Sequence, residues 1–162
     1  MVLEDKFMHQ VHVTVAAIIE HNQKFVLVTD KTKDGLKLNQ PAGHVEIGED
    51  IIDAVIREVK EETSLNFTPQ YLVGIYYFQA NLTTTYIRFC FGGELEDYSA
   101  TPCPMLTDED VIEAKWYSLA EIQDQVTNHR SKIVLRCVED YLAGNKFPLE
   151  TIVNYPAANV FN

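Results

Sequence analysis

The sequence predicts an α/β fold, a sandwich in which a mixed β-sheet lies between helices. Three observations carry that prediction. β-Branched and aromatic runs fill much of the first half of the chain. One helical pattern interrupts them near residue 50. Helical patterns close the chain, and strands and helices do not alternate regularly, so the pattern is mixed rather than a βαβ series.

Residues 11–19 (VHVTVAAII) and 24–30 (KFVLVTD) read as strands, and the polar Glu20-His21-Asn22-Gln23 between them suits a hairpin turn. Asp34-Gly35 signals another turn, and residues 36–40 form a short strand ending at Pro41. A loop with glycine at each end, Gly43 to Gly48, leads into a helix over residues 50–64. At about 100° per residue, Ile52, Ile56, Val59 and Thr63 share the stripe expected to face the core. Residues 71–78 and 83–95 are two further strands, with Asn81-Leu82 in the turn. Residues 96–110 hold two prolines and five acids and read as an exposed loop. Residues 114–117 make a short strand. Ser118-Leu119-Ala120-Glu121 is a capping-box pattern that opens a helix. The last helix covers residues 131–143, with Gly144 as its C-terminal cap and an irregular tail after it.

A chain of 162 residues suits a single domain, residues 1–162, with its core over about 8–145 and a tail over 146–162. The net charge of −11 repels nucleic acid at long range, so no general nucleic-acid binding is expected. An acidic protein still binds a phosphate ester when divalent cations lie between the two. Cys90, Cys103 and Cys137 are odd in number and far apart, as expected of reduced thiols in a cytoplasmic protein. Neither a signal peptide nor a membrane-spanning run is expected. The oligomeric state is left open, with a monomer as the default.

Chemistry concentrates at Glu58, Glu61 and Glu62. Positions i, i+3 and i+4 share a helix face, where like charges repel. Divalent ions remove that repulsion, and Mg²⁺ takes a few carboxylates together with waters and phosphate oxygens. A solvated acidic face softened by Lys60 is the alternative. The glycine-bounded loop tips the balance towards a site, because its main chain can approach a metal or a phosphate closely. Arg57 and Glu49 could pair and pin the loop to the helix, or form an ordinary surface ion pair. Arg88 is the only cation of residues 83–95; it could hold a phosphate oxygen or a cross-strand carboxylate. His44 could touch substrate or bond locally. His9, His12, His21 and His129 have no metal-ligand spacing. Tyr76, Tyr77 and Tyr86 could line a pocket for a flat ring or pack in the core.

The order Gly43, five residues, Glu49, seven residues, Arg57-Glu58-Val59, one residue, Glu61-Glu62, one residue, Ser64-Leu65 resembles the Nudix box. A chance match at a given start is on the order of 10⁻⁸ from residue frequencies. Ser64 stands where the family usually has the glycine that ends the helix. Further along, Asn39-Gln40-Pro41-Ala42-Gly43-His44, Arg88-Phe89, Trp116 with Glu121-Ile122, Arg130-Ser131 and Phe147-Pro148-Leu149-Glu150 are similar to the NudJ-type phosphatases. Leu38 stands where those relatives often have Trp, so the resemblance does not carry over a base-stacking contact there.

The resemblance implies a Mg²⁺-dependent hydrolase, with Mn²⁺ as a possible substitute, acting on a small-molecule diphosphate. Its substrates would be nucleoside di- and triphosphates or thiamine and hydroxymethylpyrimidine diphosphates. It assigns Gly43, Glu58, Glu61 and Glu62 to metal, and Gln40, His44 and Arg88 to substrate. It assigns Arg57 and Glu49 to the catalytic machinery, and the water-activating role to Glu61 or to Asp110, with Asp108 and Glu109 as rivals. Release of orthophosphate is the leading expectation. Release of pyrophosphate from nucleoside triphosphates is the second. A non-catalytic nucleotide sensor is the third, disfavoured because all three box acids are present.

Overall fold

The β-branched runs become strands, and their alternation sorts side chains between two cores. A computed structural model describes residues 8–105, 107 and 109–155. In chain order its elements are β1 (Gln10–Ile18), β2 (Glu20–His21), β3 (Lys24–Thr32), β4 (Gly35–Asn39), β5 (Ala42–His44), α1 (Ile51–Thr63), β6 (Phe67–Gln79), β7 (Thr84–Leu95), β8 (Val111–Ser118), α2 (Leu119–Asp124) and α3 (Ile133–Leu142).

The expected sandwich is present, but its middle layer is two four-stranded sheets rather than one. The first has the order β5-β1-β7-β6 and is mixed: β1 and β7 run parallel, and the other pairs are antiparallel. In the second, β3 pairs with β2, β4 and β8, all antiparallel. The predicted turn at residues 20–23 exists, yet of residues 11–19 only Ile19 bonds to 24–30, accepting the Val26 N–H at 3.0 Å, while residues 10–18 pair with β5 and β7. The chain leaves the first sheet at Ile18 and pairs as β2 in the second. Asn22 and Gln23 sit at φ 51° and 62°, the paired positive values of a tight hairpin turn. Glu20 Oε1 secures it by accepting the Gln23 N–H at 2.7 Å.

Helix α1 covers one side of the layer. Its Ala54, Val55 and Val59 pack with Val15, Ala17, Phe67 and Phe91. Each fully buried valine or phenylalanine there contributes about 1.5–3 kcal/mol. On the other side Val134, Cys137 and Val138 of α3 and Ile122 of α2 meet Ala16, Ile18, Phe25 and Leu27. The buried stripe of α1 is rotated from the predicted one: Ile56 is 39% exposed, whereas Glu58 and Glu62 are buried. Hydrophobicity places acids outside, so the predicted stripe swung away from them.

Three further expectations change. The loop over residues 96–110 is not wholly exposed. Pro102 is buried, and the N–H groups of Cys103 and Met105 donate to the Thr63 and Glu61 carbonyls at the end of α1, at 2.9 and 2.8 Å. β8 is longer than the four residues predicted. The start of the tail is anchored: Phe147 exchanges two backbone hydrogen bonds with Leu72, and Leu149 and Ile152 pack on the α1-side core. The capping box at Ser118 and Glu121 and the positive φ of Gly144 are as predicted. Among the described residues no helix is long and apolar enough to cross a membrane.

Candidate active site

A cavity of about 550 Å³ lies beside α1, β5 and the open face of β7, and loops before β8 and α3 reach it. Its acidic side comes from α1. Glu58 and Glu62 line it and are only 9% and 6% exposed. The Ala42 N–H donates to Glu62 Oε2 at 2.8 Å. Gly43 lies against the Glu58 carboxylate so closely that any Cβ would overlap it.

Glu61 does not join them. On a helix Glu58 and Glu62 are about 40° apart, while Glu61 is about 100° from Glu62. It sits outside the cavity lining, its side chain 41% exposed and held by Arg57 Nη1 at 3.2 Å. The structure thus brings two of the three predicted acids together.

Arg57 is the hub of the loop, as the sequence suggested. Its Nε and Nη2 donate to the two Glu49 carboxylate oxygens at 2.7 and 2.9 Å. Nη2 also donates to the His44 carbonyl at 3.0 Å, and Nη1 to Glu58 at 2.8 Å. Glu49 Oε2 accepts the Glu46 N–H at 3.0 Å. This exceeds a surface pair: one guanidinium ties strand, loop and helix. The hydrogen bonds from Arg57 pull the Glu49 carboxyl below its ordinary value, and Glu49 in turn raises Arg57.

The sheet supplies the cationic side. Register aligns His44, Thr14, Arg88 and Tyr76 across neighbouring strands, and His12, Tyr86 and Phe78 in the next row on the same face. Arg88 is 8% exposed and lines the cavity. Its Nη1 and Nη2 donate to Gln40 Oε1 at 3.1 Å and Asn39 Oδ1 at 3.3 Å. Both partners are neutral amides, and among the described residues Arg88 is not in the cross-strand ion pair considered above. Gln40 is a correction of another kind. It is 1% exposed, lies outside the cavity lining, and donates its other end to the Val134 carbonyl at 2.7 Å. It supports Arg88 and does not reach the cavity.

His44 lines the cavity edge-on to His12, with ring centroids 5.2 Å apart. Burial lowers its pKa, and nearby His12 and Arg130 lower it further. Of the three tyrosines only Tyr86 lines the cavity, stacked on His12 at 5.0 Å. Tyr76 donates its hydroxyl to Asp140 at 3.0 Å, and Tyr77 is exposed. His9 contacts Thr85, His21 stacks on Tyr98, and His129 donates to the Ile122 carbonyl, so all three are structural. Leu38 is buried in the core.

Asp110 lines the cavity at the start of β8, where its carbonyl accepts the Lys31 N–H at 2.7 Å. Glu109 is exposed and outside the lining. Asp108 lies outside the described residues. Three cavity residues, Asp30, Asn39 and Arg130, were missed as site candidates. Arg130 Nη1 donates to Asp30 Oδ2 at 3.1 Å, and Asn39 Nδ2 donates to the same oxygen at 3.4 Å. Asp30 carried a signal, because it follows the apolar run 25–28, which is buried on both faces of the strand. A charge at an inward position is a site clue. Arg130, in a loop, carried none beyond its place in the family pattern.

The sequence matches the NUDIX domain family over residues 8–137. The chain belongs to the Nudix family. It is 37% identical over 150 residues to the phosphatase NudJ of Escherichia coli K12, covering 91% of this chain and 94% of that one. A solved NUDIX hydrolase from Nitrosomonas europaea is 41% identical, with a TM-score of 0.83, covering 92% of this chain and all of the other. A MutT NUDIX hydrolase from Burkholderia pseudomallei shares the fold at 18% identity and a TM-score of 0.67, over 82% and 98% of the two chains.

In this Nudix hydrolase the box forms β5, the loop and α1, and its one departure is accommodated. Ser64 takes the left-handed conformation, φ 60° and ψ 6°, that the usual glycine would adopt. Its hydroxyl donates to the Cys103 carbonyl at 2.7 Å, which offsets part of the backbone cost. Among the described residues no three His, Cys, Asp or Glu side chains form a ready-made metal cage. The oxygens present still fit a hard divalent ion. Two nearly buried carboxylates face one cavity, and the absent Cβ of Gly43 leaves the space that Glu58 fills. Mg²⁺ takes its remaining ligands from water and phosphate oxygens.

Proposed function

We propose that this Nudix hydrolase releases orthophosphate from a terminal diphosphate. The substrate would be a nucleoside di- or triphosphate, or a thiamine or hydroxymethylpyrimidine diphosphate. Mg²⁺ would be the cofactor, with Mn²⁺ as a substitute. The observation that carries the proposal is a single cavity with two buried carboxylates on one side and a buried arginine on the other. Likeness to a relative named as a phosphatase supports orthophosphate over pyrophosphate as the product.

Glu58, Glu62 and the Gly43 carbonyl would hold the metal. When bound, the ion neutralises charge on the diphosphate and its leaving group. Arg57 and Glu49 position Glu58 and the loop. Arg88 and His44 face the substrate from the sheet. Asp110 lines the cavity and Glu61 does not, so Asp110 is the better placed to take the proton from the attacking water. The water oxygen bonds to phosphorus as the bridging P–O bond breaks, and the shorter ester leaves. The whole chain would act as one catalytic domain, a monomer in the cytoplasm.

Glu62→Gln tests the reading. Its amide oxygen can still accept the Ala42 N–H, so the fold should survive while Mg²⁺-dependent turnover of ADP and thiamine diphosphate is lost. Undiminished turnover would remove Glu62 from the metal site. Separate assays for orthophosphate and pyrophosphate decide the product. Pyrophosphate from nucleoside triphosphates would overturn the proposal.

A further inference from the structure

Arg88 is a guanidinium buried against neutral acceptors. It uses two of its five N–H donors on the Gln40 and Asn39 amide oxygens. A buried cation with no carboxylate among these partners is costly unless an anion reaches it. Arg130, from the loop before α3, lines the same cavity and is half exposed. Asn39 couples the two. Its Oδ1 accepts from Arg88, and its Nδ2 donates to Asp30, which in turn holds Arg130.

We infer that Arg88 and Arg130, joined through Asn39 and Asp30, form a clamp for a free terminal phosphoryl group. The clamp makes the enzyme select diphosphates with an open end over those esterified at both ends. The inference rests on the diphosphate-hydrolase reading and adds its specificity residues. A terminal phosphoryl group carries about −1.5 to −2 charges near pH 7 and three acceptor oxygens. A phosphoryl group inside a doubly esterified diphosphate carries one charge and two such oxygens. Within the linked group of Arg88, Asn39, Asp30 and Arg130 two guanidiniums meet one carboxylate, while Glu46, Glu58, Glu62 and Asp110 also line the cavity. With three acceptor oxygens an open-ended group can engage both guanidiniums at once, which a group with two such oxygens does less well. Asp30 and Asn39 are positioning residues: they hold Arg130 and Arg88 and need not touch substrate.

The test compares ADP with ADP-ribose, whose diphosphate is esterified at both ends. Wild type should prefer ADP. Arg130→Ala should cut the kcat/KM for ADP about 10- to 100-fold, mainly through KM, and should reduce the preference at least tenfold. Added guanidinium ion at millimolar concentration should restore part of the ADP activity. Calorimetry with inorganic phosphate on EDTA-treated protein should find binding in wild type and at least tenfold weaker binding in Arg130→Ala. Equal losses on both substrates, or unchanged phosphate affinity, would overturn the clamp. If wild type hydrolyses no phosphoanhydride, the hydrolase reading falls, while the phosphate titration still decides the clamp.

Discussion

Gly43→Ala should separate catalysis from folding in this protein. Gly43 pairs with Val15 in β5, and its φ is not positive, so an alanine backbone fits there. The added methyl overlaps the carboxylate of Glu58, the flexible end of a side chain. That end must move. An off-rotamer Glu58 that keeps its bond to Arg57 costs about 0.5–1.5 kcal/mol. For a chain of this size that lowers Tm by about 1–6 °C. The chemical cost is larger, since a displacement of about 1 Å in a catalytic group lowers the rate on the order of 10²-fold. Differential scanning fluorimetry gives the Tm. Steady-state kinetics across a Mg²⁺ titration gives kcat and the metal midpoint, which should rise. A kcat/KM within about threefold of wild type would refute the claim that Glu58 must occupy that space. A Tm loss beyond about 10 °C would refute the claim that the backbone tolerates the methyl.

Other consequences follow from the same geometry. Asp110→Asn should lower kcat at least about 100-fold and remove the acidic limb of the pH–rate profile; an unchanged limb would return the role to Glu61 or a neighbour. Ser64→Gly should leave activity intact and shift Tm by no more than about 3 °C, because relief of the left-handed strain offsets the lost Cys103 bond. A larger change in either direction would contradict that balance. Glu49 has a folded pKa below its ordinary 4.5, so the stability it contributes is present above that value and lost as pH falls through the folded one. Wild type should therefore lose Tm more steeply than Glu49→Gln on acidification from about pH 5 to 3. Parallel Tm curves would mean that the Arg57 pairing does not bear on stability.

Local chemistry was legible in the sequence wherever a residue type can satisfy only one geometry. Ser64 ends α1 where the family's glycine would, and Ser118 with Glu121 closes a capping box. The Arg57–Glu49 pair was readable because loop length and helical spacing leave few other partners. What hydrophobicity could not convey was which face of α1 is buried, because two of its buried positions are glutamates. Long-range placement was also hidden. Nothing in the local pattern near Gln40 says that its amide is sealed between Arg88 and the Val134 carbonyl. Nothing near Arg130 points to Asp30, a hundred residues away. The two-sheet middle layer turns on where the chain leaves one sheet at Ile18 for the next at Glu20, and the polar residues 20 and 21 read as turn although they pair as β2.

The site depends on strand register as much as on the box. Arg88 faces the cavity because β7 pairs with β1 so that Thr14 lies opposite it. Its neighbours Ile87 and Phe89 point the other way, and Phe89 packs with the α1-side core. A slip of one residue would drive the guanidinium into that apolar core and bring Ile87 or Phe89 to the phosphate. The burial of Phe91 and Val15 on one face and of Cys90 and Ala16 on the other makes such a slip costly. The same alternation that folds the sheet therefore fixes a cation opposite the carboxylates of α1. The cavity is itself lined by five acids, Asp30, Glu46, Glu58, Glu62 and Asp110, against Arg88 and Arg130, so a chain of net charge −11 would receive a polyanion there with divalent cations between the two.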